Sequence, residues 1–74
     1  MERINLEFIA RRRMEFGITL QDMAFALGFK NASTYLKYEK GEYDFKAKHL
    51  PMLTRMLSCE LRDLFICLVL VLLL

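Results

Sequence analysis

Apolar residues in the middle of this chain recur at the spacing of an α-helix. Thr19 precedes them as a candidate N-cap, with Asp22 three residues later to complete a capping box. Gly28 follows them, at a position where helices commonly end. The pattern therefore predicts a short helix between Thr19 and Gly28. The apolar residues that share one face of this helix are Leu20, Met23, Ala24 and Leu27.

A second short helix is predicted directly after a tight turn. Asn31 is its candidate N-cap, and no Gly or Pro interrupts the chain from there until Gly41. Tyr35 and Tyr38 share a face that this spacing assigns to the core, which leaves the polar side chains pointing elsewhere. A helix, a turn and a second helix with a polar outer face is the geometry that places a helix in the major groove of DNA.

The flanking stretches predict two further helices. Leu6, Ile9 and Phe16 keep helical spacing in the first, from Asn5 to Phe16, and Arg13 falls on the same stripe. The second runs from Leu50 to Leu57 with Pro51 in its first turn. The segment from Glu42 to Lys48 is predicted to be a loop pinned by its apolar side chains. At 74 residues the chain is expected to form one small all-α domain.

The central motif resembles the helix-turn-helix of the lambda-repressor-like superfamily, which includes phage Cro and CI proteins and Xre-type regulators. The resemblance covers roughly residues 6–65, and it implies a compact five-helix DNA-binding domain whose fifth helix runs from Leu61 to Phe65. It also implies an ion pair between Arg13 and Glu39; the alternative of equal weight is that Arg13 belongs to a solvated arginine run. The residues that carry the resemblance are Gly17, Ile18, Thr19, Met23, Ala24, Leu27, Gly28, Tyr35, Tyr38, Glu39 and Gly41.

The net charge of +2 is too small to demonstrate nucleic-acid binding by itself. The family resemblance implies that the third helix reads bases, chiefly through Lys37 and Ser33, and that flanking lysines and first-helix arginines contact phosphates. The residues implied to bind DNA or a partner are Lys30, Asn31, Ala32, Ser33, Leu36, Lys37 and Lys40. A homodimer would match a palindromic site.

Some positions depart from the family pattern and suggest a second function. Leu20 stands where many relatives carry a glutamine, and Glu42 and Asp44 stand where relatives often carry basic residues. With Leu36 on the outer face of the third helix, such a surface suits a protein partner. We therefore consider two functions. The protein is a small phage or mobile-element regulator that binds operator DNA through its third helix, or a modulator that binds the DNA-binding domain of a cognate repressor.

The apolar end of the chain, residues 66–74, is expected to form a tail outside the domain of residues 1–65. It is too short to favour a membrane span, and the alternatives are a helical dimer contact, a strand pairing with a second copy, or an irregular end with no role. Glu42 and Asp44 lack a positioned base, so we expect no enzyme. His49 stands alone as a surface or helix-start histidine, so no metal or other cofactor is expected. Two cysteines and the lack of a signal peptide favour the cytoplasm.

Overall fold

The computed structural model of the protein describes residues 2–67. Within them the chain forms four α-helices, two 3₁₀ turns and two short strands. In chain order these are β1 (Glu2–Ile4), α1 (Leu6–Glu15), α2 (Leu20–Leu27), α3 (Ala32–Glu39), a first 3₁₀ turn (Ala47–His49), α4 (Leu50–Leu57), a second 3₁₀ turn (Leu61–Leu64) and β2 (Phe65–Cys67). The helical class is confirmed, but the prediction of five helices is wrong, because four residues between α4 and β2 form only a 3₁₀ turn.

The caps that bound α2 and α3 follow from single side chains. Thr19 Oγ1 accepts the Asp22 N–H at 3.0 Å, and the Asp22 carboxylate accepts the Thr19 N–H at 3.4 Å, so α2 begins with a capping box. Gly28 ends α2 in the left-handed conformation, with φ of 81°. Asn31 Oδ1 then accepts the Thr34 N–H at 2.9 Å and starts α3. The predicted helix, turn and helix are therefore present.

The core lies between the four helices and the second 3₁₀ turn. Leu53 and Leu57 of α4 are fully buried, as is Leu64, whereas Leu61 is 53% exposed. Phe16, predicted to lie on the buried face of the first helix, is the C-cap of α1 and is 47% exposed. The buried apolar residues are Ile9, Met23, Ala24, Tyr35, Leu53, Leu57 and Leu64.

The two strands pair antiparallel and close the domain, with Ile4 opposite Phe65 and Glu2 opposite Cys67. The Asn5 N–H also donates to the Leu64 carbonyl at 2.7 Å. Residues 65–67 thus pair with the same chain rather than continue a helix or join a second copy. The first two residues of the predicted tail belong to β2, and its remainder, residues 68–74, lies outside the described residues. In the described part of the chain, each helix is too short or too polar to span a bilayer.

The end of α4 is stabilised by Arg12, 45 residues away in the sequence. Its Nε donates to the Leu57 carbonyl at 3.0 Å and its Nη2 to the Ser58 carbonyl at 3.1 Å. Ser58, the C-cap of α4, adopts a left-handed conformation with φ of 51°. Since the last carbonyls of a helix lack intrahelical partners, the guanidinium both fills that need and complements the helix dipole.

Candidate nucleic-acid interface

The outward face of α3 is a polar stripe. Ser33 and Lys37, one helical turn apart, are exposed, and so is Lys40 just after the helix, whereas Tyr35 and Glu39 on the opposite face are buried. We call Ser33, Lys37 and Lys40 the α3 stripe. The side chains on the stripe offer donors to the acceptors of base edges and phosphates. The fold therefore exposes the polar face of α3 and buries the opposite face of the helix.

The residues at the start of α3 are less free to contact a ligand. The Asn31 side-chain oxygen accepts both the Thr34 N–H at 2.9 Å and the Thr34 hydroxyl at 3.0 Å. Only the amide nitrogen of Asn31 is left for an external contact, so Asn31 can act there as a donor alone. Lys30 is exposed beside it, and Ala32 is half-buried.

The two leucines considered for a protein contact occupy different environments from the α3 stripe. Leu36 is half-buried beside the stripe, and Leu20 packs against the hydrophobic core. Leu20 therefore does not extend an apolar surface together with Leu36. Glu42 and Asp44 in the loop after α3 are both exposed. What remains of the predicted partner surface is mainly acidic.

A buried ion pair joins α1 to α3. Arg13 Nε and Nη2 donate to the two carboxylate oxygens of Glu39 at 2.9 and 3.2 Å, and the side chains are 14% and 6% exposed. Arg13 Nη1 also donates to the Ile18 carbonyl at 3.0 Å. This bidentate geometry fixes the rotation of α3 about its axis, and hence the direction in which the α3 stripe points.

The hydroxyl of the core residue Tyr35 lies beside this ion pair. It forms no hydrogen bond among the described residues. Burial raises the pKa of Tyr35 far above its ordinary value, and the neighbouring Glu39 carboxylate raises it further. Tyr35 therefore stays neutral, and it packs as a core side chain rather than as a platform for stacked bases.

Two of the three consecutive arginines of α1 bind other parts of the domain. Arg12 binds carbonyls at the end of α4, with its guanidinium carbon 4.9 Å from the centre of the Phe16 ring, and Arg13 binds Glu39. Arg11 is exposed. The prediction that first-helix arginines contact phosphates thus applies at most to Arg11. No spacing rule could reveal the role of Arg12, because its partners are backbone carbonyls far along the chain.

An aromatic cluster supports the turn between α2 and α3. The rings of Phe29 and Tyr38 stack with centroids 4.5 Å apart, and His49 meets Phe29, Tyr38 and Phe45 edge-on at 5.1 to 6.0 Å. His49 is only 5% exposed, so the expected surface position is wrong although the helix start is right. The sequence did not indicate this burial, because a single histidine has no periodicity. Its Nδ1 accepts the Lys46 N–H at 2.9 Å.

We expect the free energy of unfolding to fall as the solution is acidified through this histidine's range. Burial, followed by the positive charges of Lys48 and Lys46, lowers the pKa of His49 from its ordinary 6.5. The stability that neutral His49 contributes is complete above pH 6.5 and is lost as the pH falls from there through the folded-state pKa. Urea titrations at several pH values give the free energy of unfolding of the wild type and of His49→Asn, which keeps an acceptor but does not titrate. Plots of this free energy against pH should differ in slope only in this range. Equal slopes would contradict the prediction.

Among the described residues, no group of three His, Cys, Asp or Glu side chains is arranged to hold a metal ion. The site is instead a helix pair with an exposed polar stripe, which is the arrangement of a DNA-binding helix-turn-helix domain.

A comparison with protein families agrees with this class. The family model described as Helix-turn-helix matches residues 9–64, which is most of the chain and includes all four helices except the first residues of α1. The chain belongs to this family, the Xre and lambda-repressor-like helix-turn-helix proteins, and its domain is that of a DNA-binding transcription regulator. No curated protein and no solved structure matches the chain.

Proposed function

We propose that the protein is a small transcriptional regulator of a phage or mobile element that binds operator DNA by placing α3 in the major groove. The exposed α3 stripe is the observation that carries this proposal. Lys37 has the reach to donate to the O6 and N7 acceptors of guanine, and Ser33 either donates or accepts at a neighbouring base. Under this proposal Lys30 and Lys40, both exposed near the ends of α3, contact phosphates.

A single helix of eight residues touches few bases, so useful specificity needs a second half-site. We propose that the protein binds as a homodimer to a palindromic operator. The separation of the half-sites would then equal that of the two α3 helices.

A selection experiment tests the DNA proposal. The wild type is used to enrich duplexes from a random-sequence library, and fluorescence anisotropy then measures affinity for a selected and a scrambled duplex at low and moderate salt. Lys37→Ala is expected to weaken binding to the selected duplex about tenfold or more, because a lysine on guanine supplies base discrimination, and to affect the scrambled duplex much less.

Lys48→Ala is the matched control, because it removes the same charge from an exposed lysine in the first 3₁₀ turn, outside the α3 stripe. It is expected to leave the ratio of selected to scrambled affinity unchanged. If Lys37→Ala and Lys48→Ala lower both affinities equally, α3 does not read bases through Lys37. If the library yields no enriched duplex, operator binding itself is wrong.

A second candidate function rests on the acidic residues next to α3. Glu42 and Asp44 are exposed and follow the α3 stripe by a few residues in the sequence. Their charges repel phosphates and attract a basic surface. The DNA-binding face of a cognate repressor is such a surface. Under this alternative the protein masks the repressor by protein contact, and a monomer is sufficient.

A further inference from the structure

The chain reverses direction immediately after α3 and brings Tyr43 back beside Lys37. Gly41 has φ of 90°, a conformation that favours glycine. The N–H groups of Glu42 and Tyr43 then both point at the Lys37 carbonyl, at 2.9 and 3.4 Å. The position of Tyr43 is thus set by the backbone of the residue that we propose as the main base reader.

The ring of Tyr43 bridges the core and the Lys37 ammonium. It meets the Tyr38 ring edge-to-face with centroids 5.4 Å apart, and Tyr38 is itself stacked on Phe29. Lys37 Nζ lies 5.7 Å from the centre of the Tyr43 ring, within the range of a cation–π contact. Tyr43 is nevertheless 49% exposed, so core packing alone does not account for its position.

The ring, and not the neighbouring acids, holds the lysine. Among the described residues Lys37 forms no ion pair with Glu42 or Asp44, although these carboxylates flank Tyr43 in the sequence. A free lysine side chain samples many rotamers and loses that freedom when it binds a base. A contact that already restricts the ammonium to the outer side of α3 reduces this loss.

We propose that Tyr43 is a positioning residue for DNA recognition, which holds the Lys37 ammonium over its ring on the surface that faces the bases. The inference rests on the proposed function and deepens it. It assigns a role in specificity to a residue outside the recognition helix. The sequence indicated only that apolar side chains of this loop anchor it by packing. The strength of an exposed cation–π contact corresponds to about a two- to fivefold change in affinity.

Two substitutions at Tyr43 test the role of the ring. Tyr43→Phe keeps the aromatic face and removes the hydroxyl, Tyr43→Leu removes the face but keeps apolar bulk, and each is also made together with Lys37→Ala. Anisotropy on the duplex selected by the wild type and on its scrambled version gives the specificity ratio. The proton shifts of the Lys37 side chain, measured by NMR without DNA, report whether the ammonium lies over a ring.

We expect Tyr43→Leu to lower the specificity ratio about two- to fivefold and to abolish the upfield shift of the protons next to Lys37 Nζ. Tyr43→Phe should retain both. In the Lys37→Ala background, Tyr43→Leu should have no further effect, which a purely structural role would not produce. Thermal unfolding of each variant shows whether the loop change disturbs the fold.

Other results would contradict either the positioning role of Tyr43 or the proposed DNA binding. If Tyr43→Phe loses as much affinity as Tyr43→Leu, the hydroxyl acts and the positioning role is wrong. The same holds if the two substitutions are additive, or if the wild type shows no ring-induced shift. If that shift is present while the wild type binds neither duplex, it is the proposed DNA-binding function that fails.

Discussion

Arg13→Ala is expected to lower the free energy of unfolding by about 3–5 kcal/mol, because it leaves the buried Glu39 carboxylate without its partner. Glu39 is only 8% exposed, so water cannot replace the guanidinium without opening the packing of α1 against α3. The Ile18 carbonyl loses its donor as well. For a small domain this is a large fraction of the total stability. Urea denaturation followed by circular dichroism measures the loss.

Arg11→Ala is the matched control for this prediction, since Arg11 lies in the same helix but is exposed. Its cost should stay within about 0.5 kcal/mol. Replacing both partners, as Arg13→Met with Glu39→Leu, should restore much of the stability, because no charge is then left buried. A cost for Arg13→Ala as small as that for Arg11→Ala would show that the ion pair does not hold α1 against α3.

The double substitution Glu42→Lys with Asp44→Lys is expected to strengthen DNA binding at low salt by about 2–4 kcal/mol. It changes the charge beside the α3 stripe by four units, and each unit near a phosphate is worth about 0.5–1 kcal/mol in water. Anisotropy at several salt concentrations should show a steeper salt dependence as well, since newly placed lysines release counterions. The gain should appear on scrambled duplexes too, because phosphate contacts are independent of sequence.

The same variant separates the two proposed functions. A module that binds a basic repressor surface through Glu42 and Asp44 would lose its partner on charge reversal, whereas an operator-binding regulator would bind its selected duplex more tightly. Glu15→Lys with Glu60→Lys is the control, since it makes the same change in net charge at exposed sites in α1 and before the second 3₁₀ turn. If the control strengthens DNA binding as much as the test variant, the α3 stripe is not the DNA surface.

Local signals predicted the helix-turn-helix well. Thr19, Gly28 and Asn31 each specify a helix end through their own backbone or side-chain hydrogen bonds, so their sequence positions were sufficient to place α2 and α3. The start of α4 was similarly indicated by Pro51. The apolar face of α2 was predictable because four of its eight residues follow one helical stripe.

What the sequence did not indicate depends on contacts between distant residues. The strand at Glu2–Ile4 exists because it pairs with Phe65–Cys67, and three residues carry no periodicity of their own. Arg12 binds carbonyls rather than side chains, and the contact between Tyr43 and Lys37 needs the reversal at Gly41. The roles of the α3 stripe in binding remain predictions, because they depend on a partner and not on the fold.

The aromatic cluster around α3 also has a spectroscopic consequence. The chain has three tyrosines and no tryptophan, and Tyr35, Tyr38 and Tyr43 all lie on α3 or in the loop after it. Near-ultraviolet absorbance and intrinsic fluorescence of this protein therefore arise mainly from α3 and the loop that follows it. Changes at that surface can be followed without an added label, whereas rearrangements confined to α1 or α4 are nearly silent in these signals.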